Sequence, residues 1–487
     1  MRRRHFIAAA AATLGADGIM PRFAAAAAPP AMLSAAQAAP IADAVAKTMA
    51  ATGTLGVSVT VARGGEIVYA NGFGLRDVAA NLPVDAATIF PIGSITKQFT
   101  ATAIMLLARD RKLQLDAKAA EYVPLAPHAT EYTVRQLLQQ TTGLANYTAV
   151  PAFLATVATS ATVTPEAMVA LIAREPLAFA PGSQFAYSNT NYVVLGMIVE
   201  AVARMPYGRF IAERIARPLG LAQLTFGPPP RGSDLARGYE PQTGTAAVTP
   251  WTPQATFAAG GLYATPADLV RWDEAFFGAR LLDAAAVRAM TTPPALAGST
   301  PSTYAMGWLR DEIDGHTMIW HNGGVIGANT RNAYFPDQRI SVVVFGNSVS
   351  FEETRIVRAA FRALVPPSEA QLAAERRLET MSAAGEDVAI TAAAKAEYER
   401  WRAGDVDPSR YSAQMRAELS AMVRQVSPGL TALGAPTAFV YRGRQTPPGF
   451  LATAFIFRVT TPNGAVQYVY TMDHQGKIAG IYFKPVP

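Results

Sequence analysis

The stretch Ser94-Ile95-Thr96-Lys97 is suited to covalent chemistry. On a helix, residues three apart share a face. A serine at the helix start then has its hydroxyl beside the Lys97 amine one turn on. The N-terminal amides and the helix dipole also favour developing negative charge there. Serine is a weak nucleophile until a neighbouring base takes its proton, and a lysine held in a partly buried cleft has a lowered pKa and can assist. Alone, this four-residue pattern is weak, and a serine N-cap with an exposed lysine is the plain alternative. Two further groupings follow it. Tyr187-Ser188-Asn189 stands between the loop Ala180-Pro181-Gly182-Ser183 and an apolar helical run from about Asn189 to Ala203. His321-Asn322-Gly323-Gly324 precedes a predicted strand pair. Here too there are plain readings: a rim tyrosine, an asparagine helix cap and a satisfied loop histidine. Glycine at 323 and 324 has a physical reason, since side chains there would keep a substrate away from a strand edge.

The elements that would position these groups are legible in outline. A helix is predicted over residues 38–52. A hairpin joins Leu55–Ala62 to Glu66–Ala70 through Arg63-Gly64-Gly65, and Asn71-Gly72-Phe73-Gly74 reads as the loop beyond it. Pro91-Ile92-Gly93-Ser94 introduces a strongly helical run to Arg109. Thr133–Gln140 reads as a short helix closed by Gly143. Thr265 is placed to cap a helix with Pro266 in its first turn. Strands Arg331–Phe335 and Ile340–Phe345 and a helix over Phe351–Leu364 finish this unit. Pro366-Pro367-Ser368 breaks the chain. Beyond it come two charged helical stretches, Glu369 to Arg402 and Ser409 to Val426. The strands Thr437–Arg442, Leu451–Thr460, Ala465–Thr471 and Ile478–Phe483 follow, with His474 in an exposed turn.

Composition narrows the function. Of 487 residues 50% are hydrophobic and 16% charged, which excludes a disordered chain and, at this length, favours two cores over one. No cysteine is present, so disulfides, thiolate metal sites and thiol nucleophiles are excluded. The five histidines have no metal-site spacing, so no metal is expected. The net charge is +6, and Arg2, Arg3, Arg4 and Arg22 sit in the first 28 residues, which speaks against a nucleic-acid footprint. Residues 1–30 read as an export signal. A basic start is followed by a short apolar run from Phe6 to Leu14 and small residues around Ala24–Ala28, and Arg3-Arg4-His5-Phe6-Ile7 resembles a twin-arginine signal. The expected product is a periplasmic or secreted protein with no transmembrane anchor.

Taken in order, Ser94-x-x-Lys97, Tyr187-x-Asn189 and His321-x-Gly323 make the chain resemble the serine β-lactamase and penicillin-binding-protein superfamily, in its class C β-lactamase-like branch. The flanking Phe90-Pro91-Ile92-Gly93, Thr142-Gly143-Leu144, Ala259-Gly260-Gly261-Leu262-Tyr263 and Tyr304-Ala305-Met306-Gly307-Trp308 agree. The resemblance implies an α+β fold, an antiparallel sheet flanked by helices plus a helical subdomain, over residues 38–365. A small α+β accessory domain would follow over 368–487. Ser94 is then the acylated nucleophile, Lys97 the proton shuttle and Tyr187 the general base. Asn189 donates to a substrate carbonyl or orients Lys97, His321 contacts substrate, and the amides of Ser94 and Gly324 form an oxyanion hole, with no cofactor. The implied function is hydrolysis of an ester or D-amino-acid peptide. The alternatives are a β-lactamase or D,D-carboxypeptidase, a penicillin-binding sensor that does not turn over, and a structural envelope protein. Two departures stand out. Histidine replaces the lysine of a Lys-Thr-Gly motif, which favours the esterase and D-peptidase members. Gln140 stands where relatives often carry histidine, at a position expected to affect packing more than chemistry.

Overall fold

The computed structural model describes residues 31–486 except 159, 230–233, 241–243, 297–301, 374–384, 446–451 and 474–475. The export-signal segment and the turn at His474 therefore lie outside the described residues.

Strands are numbered along the chain. β1 (Gly56–Arg63), β2 (Glu66–Asp77) and β3 (Leu82–Pro83) open the main sheet. β4 (Phe90–Pro91), β5 (Thr225–Phe226) and β6 (Leu262–Ala264) form a small sheet in the order β4-β6-β5. β7 (Leu309–Ile313), β8 (His316–Val325), β9 (Ala328–Phe335) and β10 (Ile340–Gly346) complete the large one. Its order is β3-β2-β1-β10-β9-β8-β7, and all neighbours are antiparallel.

The central strands β1 and β10 are buried on both faces; β10 reads as a valine run, whereas β1 alternates its valines with the small polar Ser58 and Thr60. One face carries Val57, Val59, Val61, Val342 and Val344. It packs against Ile41 and Val45 of the helix Ala35–Thr52 and Ile356, Val357 and Phe361 of the helix Thr354–Leu364. The other face carries Val343 and Phe345, and packs against Ile95, Phe99 and Trp272. The sheet thus separates the Ser94 side from the two terminal helices. The helix Ala35–Thr52 starts at a capping box between Ser34 and Gln37 and stops at left-handed Gly53.

Two predicted boundaries are corrected. Asn71–Gly74 is strand, not loop: β2 pairs with β1 as far as Gly74. Gly72 permits this because a Cβ there would lie 2.0 Å from the Val84 carbonyl oxygen of the crossing chain. The second helix of the C-terminal region runs Ala413–Leu433, straight through Pro428, where the sequence signalled a stop at Val426. Ser427 holds that turn by donating to the Trp401 carbonyl at 2.6 Å.

The C-terminal region has its own core. β11 (Ala438–Gln445), β12 (Ala452–Thr461), β13 (Gly464–Asp473) and β14 (Ile478–Val486) form an antiparallel sheet in sequence order. Phe457, Val459 and Tyr468 of that sheet meet Tyr398, Trp401, Leu419 and Leu430 of the helices Val388–Ala403 and Ala413–Leu433. It lies on the side of the main sheet away from Ser94, where Arg355 of the helix Thr354–Leu364 donates to the Asn463 carbonyl at 3.5 Å.

Candidate active site

β4 delivers the chain to Ser94. Ile92 N–H donates to the Leu262 carbonyl of β6 at 3.0 Å, and Gly93 follows with φ +50°. Gly93–Ile95 is a single tight turn, from which the helix Thr96–Arg109 continues. Gly93 must be glycine: besides its positive φ, a Cβ would meet the Gly323 backbone at 2.8 Å. Gly323 returns the constraint, since its own Cβ would lie 1.9 Å from the Ile92 carbonyl oxygen. The two glycines let the Ser94 turn press directly onto β8. The reason expected for Gly323 is thus corrected: it accommodates the Ser94 turn, whereas a Cβ at Gly324 would meet open space, with its nearest neighbour at 4.0 Å.

Ser94 is partly exposed and receives two hydrogen bonds, from Lys97 Nζ at 3.0 Å and from the Tyr187 hydroxyl at 2.8 Å. The Lys97 side chain is wholly buried. Its Nζ also donates to Asn189 Oδ1 at 2.8 Å and to the Ala259 carbonyl at 2.7 Å, and it sits 4.9 Å from the Tyr187 ring centre. Burial holds the Lys97 amine well below the usual lysine range. Tyr187 is 37% exposed, with its hydroxyl turned to Ser94; the water lost on that inner side, then Tyr304, push the phenol up against the opposing effect of its bond to Ser94.

The Tyr187 loop is fastened from below. Gln140 is buried with φ +60°; its Oε1 accepts from Ser188 N at 3.0 Å and from Asn191 Nδ2, and its carbonyl accepts from Ala186 N at 3.1 Å. Asn189 is the first residue of the helix Asn189–Ala203, with Ser188 in the cap position, so its side chain is not a cap. Its Nδ2 donates to Thr148 Oγ1 at 3.3 Å and its backbone N–H to Asn146 Oδ1 at 3.2 Å.

His321-Asn322-Gly323-Gly324 lies inside β8 rather than ahead of a strand pair. β7 pairs with β8 only up to Trp320, so among the described residues no strand covers the outer edge of His321–Val325. His321 is buried. Its Nδ1 lies 2.6 Å from the Asn322 carbonyl oxygen, and its ring is 5.7 Å from that of Tyr304 and 6.3 Å from that of Tyr187. Desolvation first, then the Lys97 charge, push its pKa down to about 3 against the pull of that carbonyl. The ring is therefore neutral near pH 7. Nδ1 carries the proton toward the carbonyl, and Nε2 presents a lone pair.

Ser94, Lys97, Tyr187 and Asn189 are thus brought into one hydrogen-bonded group. His321 stands beside Tyr187, and Gly323 and Gly324 lie along the adjoining strand. Sequence reasoning missed the Ala259 carbonyl, Asn146, Thr148 and the wall formed by Tyr304 stacked on Phe185. Ala259 and Tyr304 lay within recognisable flanking stretches, but a carbonyl acceptor has no signature of residue type. Among the described residues, no cluster of His, Asp or Glu is placed to hold a metal, and no helix is long and apolar enough to cross a membrane.

Comparison with known proteins matches residues 41–366 to the family described as Beta-lactamase. A putative penicillin-binding protein, PbpX, of Bacillus subtilis (strain 168) is 29% identical over 59% of this chain and 69% of its own length. A D-aminopeptidase of Brucella canis is 26% identical over 64% of this chain and 60% of its own. The crystal structure of a D-amino acid amidase from Ochrobactrum anthropi SV3 complexed with D-phenylalanine superposes with a TM-score of 0.59. It is 26% identical, and the match spans 68% of this chain and 98% of the amidase.

Proposed function

The chain belongs to the β-lactamase family, and from that premise we propose that it hydrolyses amides or esters of D-amino acids through an acyl-enzyme on Ser94. The observation that carries the reading is the pair of groups on one nucleophile: Lys97 Nζ at 3.0 Å and the Tyr187 hydroxyl at 2.8 Å from Ser94 Oγ. Ser94 Oγ attacks the substrate carbonyl carbon, and its proton passes to Lys97. We give Lys97 this first proton, rather than Tyr187, because the wholly buried amine is held toward its neutral form; there its two N–H groups donate to Asn189 Oδ1 and the Ala259 carbonyl, and its lone pair faces Ser94 Oγ. The amides of Ser94 and Gly324 hold the oxyanion, each such donor contributing about 3 kcal/mol. As the bond to the leaving group breaks, Tyr187 protonates the departing amine or alkoxide and recovers its proton from Lys97. Water then attacks the ester, losing its proton through the same pair, and releases the acid and Ser94.

Substrate class follows from His321 and the relatives. A neutral imidazole gives no permanent cation for a carboxylate, which disfavours D,D-carboxypeptide and β-lactam substrates. The D-aminopeptidase and D-amino acid amidase likenesses point the same way. We assign residues 38–365 to the hydrolase and 368–487 to an accessory domain, a division supported by their separate cores. Export to the periplasm or beyond is supported by the basic and apolar pattern of residues 1–30. The test is turnover of D- and L-alanine p-nitroanilides, a short-chain p-nitrophenyl ester and a β-lactam by wild type and Ser94→Ala. D-selective turnover lost in Ser94→Ala is expected. Equal turnover by the variant would remove Ser94 from the chemistry.

A further inference from the structure

Behind the nucleophile helix lies a polar cluster that the reaction at Ser94 does not use. It comprises Gln98, the neighbour of Lys97, Trp272 and Asp273 of the helix Pro266–Phe277, Asn332 of β9 and Ser341 of β10, all of them buried. Gln98 Oε1 accepts from Trp272 Nε1 at 3.0 Å and from Asn332 Nδ2 at 3.3 Å. The same Asn332 Nδ2 donates to Asp273 Oδ1 at 2.8 Å. Three buried atoms are left without partners: Asp273 Oδ2, Asn332 Oδ1 and Gln98 Nε2.

Two of these are acceptors on one already bonded pair. An ionised Asp273 has no proton to offer Asn332 Oδ1, and the Ser341 hydroxyl is the further donor its own carboxylate has, so at least the amide oxygen of the buried pair would stay unsatisfied, which is unfavourable. A carboxylic acid removes the mismatch, because its O–H donates to the amide oxygen while the amide N–H donates to its other oxygen. We propose that Asp273 is a protonated acid closing a two-bond acid–amide pair with Asn332, and that this pair positions the nucleophile helix through Gln98.

The electrostatics agree. Burial pushes the Asp273 carboxyl up to about 7, against hydrogen bonding from Asn332 and Ser341 and with a smaller push from Glu274. The other titratable groups nearby belong elsewhere. Glu274 is paired with Arg339, Tyr334 of β9 is pushed up to about 12, and the Lys97 amine is turned to Ser94. Asp273 is a positioning residue: it touches neither substrate nor Ser94. Its folded-state value lies above the ordinary carboxyl value of about 3.9. Its contribution to stability is therefore full below pH 4 and is lost as the pH rises to 7. Above that, an ionised Asp273 opens the pair and loosens Gln98, which displaces Lys97 and lowers kcat with little change in KM.

Neutron diffraction of wild-type crystals near pH 6 tests the pair without any variant and without turnover. It is expected to place a deuteron between Asp273 Oδ2 and Asn332 Oδ1; its absence overturns the proposal even if Ser94 hydrolysis stands. Asp273→Asn tests the consequence, since an amide–amide pair keeps both bonds and cannot ionise. Wild-type kcat should fall about tenfold between pH 6 and 8.5, the scale of a small displacement of a positioned base. Asp273→Asn should keep kcat near pH 6 and lose that limb. An unchanged limb in the variant contradicts the positioning role.

Discussion

Gln140→Leu isolates how the Tyr187 loop is held. Leucine nearly matches glutamine in volume and removes the one atom, Oε1, that accepts from Ser188 N and Asn191 Nδ2. Gln140 and Asn191 are wholly buried and Ser188 nearly so, so water does not replace the lost acceptor. Leaving a buried donor unsatisfied costs about 1–3 kcal/mol, and the two donors of Ser188 and Asn191 together give an expected loss of about 2–6 kcal/mol. The φ of +60° is shared by both residues, so backbone strain largely cancels. The bond from Ala186 N to the Gln140 carbonyl remains, so the loop shifts rather than dissolves. The Tyr187 hydroxyl, now 2.8 Å from Ser94, moves with it, and a displacement near 1 Å lowers kcat about a hundredfold. Urea unfolding gives the first number, and steady-state hydrolysis of a D-amino-acid p-nitroanilide the second, with KM changing little. Gln140→Glu keeps the acceptor and should fall between wild type and leucine. A stability loss below about 1 kcal/mol together with unchanged kcat would refute the reasoning.

Other changes separate chemistry from structure. Lys97→Met removes a desolvated amine while keeping much of its packing, so kcat should fall about a thousandfold with no large drop in thermal stability, measured together on one preparation. Gly323→Ala drives a Cβ to 1.9 Å from the Ile92 carbonyl and should cost about 3 kcal/mol or more, whereas Gly324→Ala meets open space and should unfold like wild type. Equal unfolding midpoints for the two would contradict the packing. His321, held down to about 3, stays neutral in the fold while the unfolded chain takes up a proton below about 6.5. Stability should therefore drop as the pH falls from 6.5 toward 4, by about 3 kcal/mol from this group, and His321→Gln should flatten that decline.

The three groupings around Ser94, Tyr187 and His321 were legible because each depends on residue type at a fixed short spacing. Thr265 with Pro266 and the hairpin before β10 were legible for the same local reason. What sequence did not give depends on contacts between distant segments. β2 continues through Asn71–Gly74 because β1 pairs with it and Val84 crosses at Gly72, although Asn and Gly locally signal a loop. Pro428 sits inside a helix because the packing of Val423 and Leu430 into the cluster around Tyr398 and Trp401 outweighs one lost backbone bond. The part of Gln140 could not be read either. Its side chain bonds to residues about fifty positions away, and the same glutamine on a surface would do nothing. Asp273 was equally silent, since a carboxylate in a helix normally reads as a solvated face.

The most direct test of the central claim is intact-protein and peptide mass spectrometry after rapid quenching with an activated D-amino-acid ester. A single acyl adduct is expected on the peptide containing Ser94, formed quickly in wild type, decaying with turnover and absent in Ser94→Ala. In Lys97→Met the adduct should form slowly. Turnover without any adduct on Ser94, or the same adduct in Ser94→Ala, would contradict it.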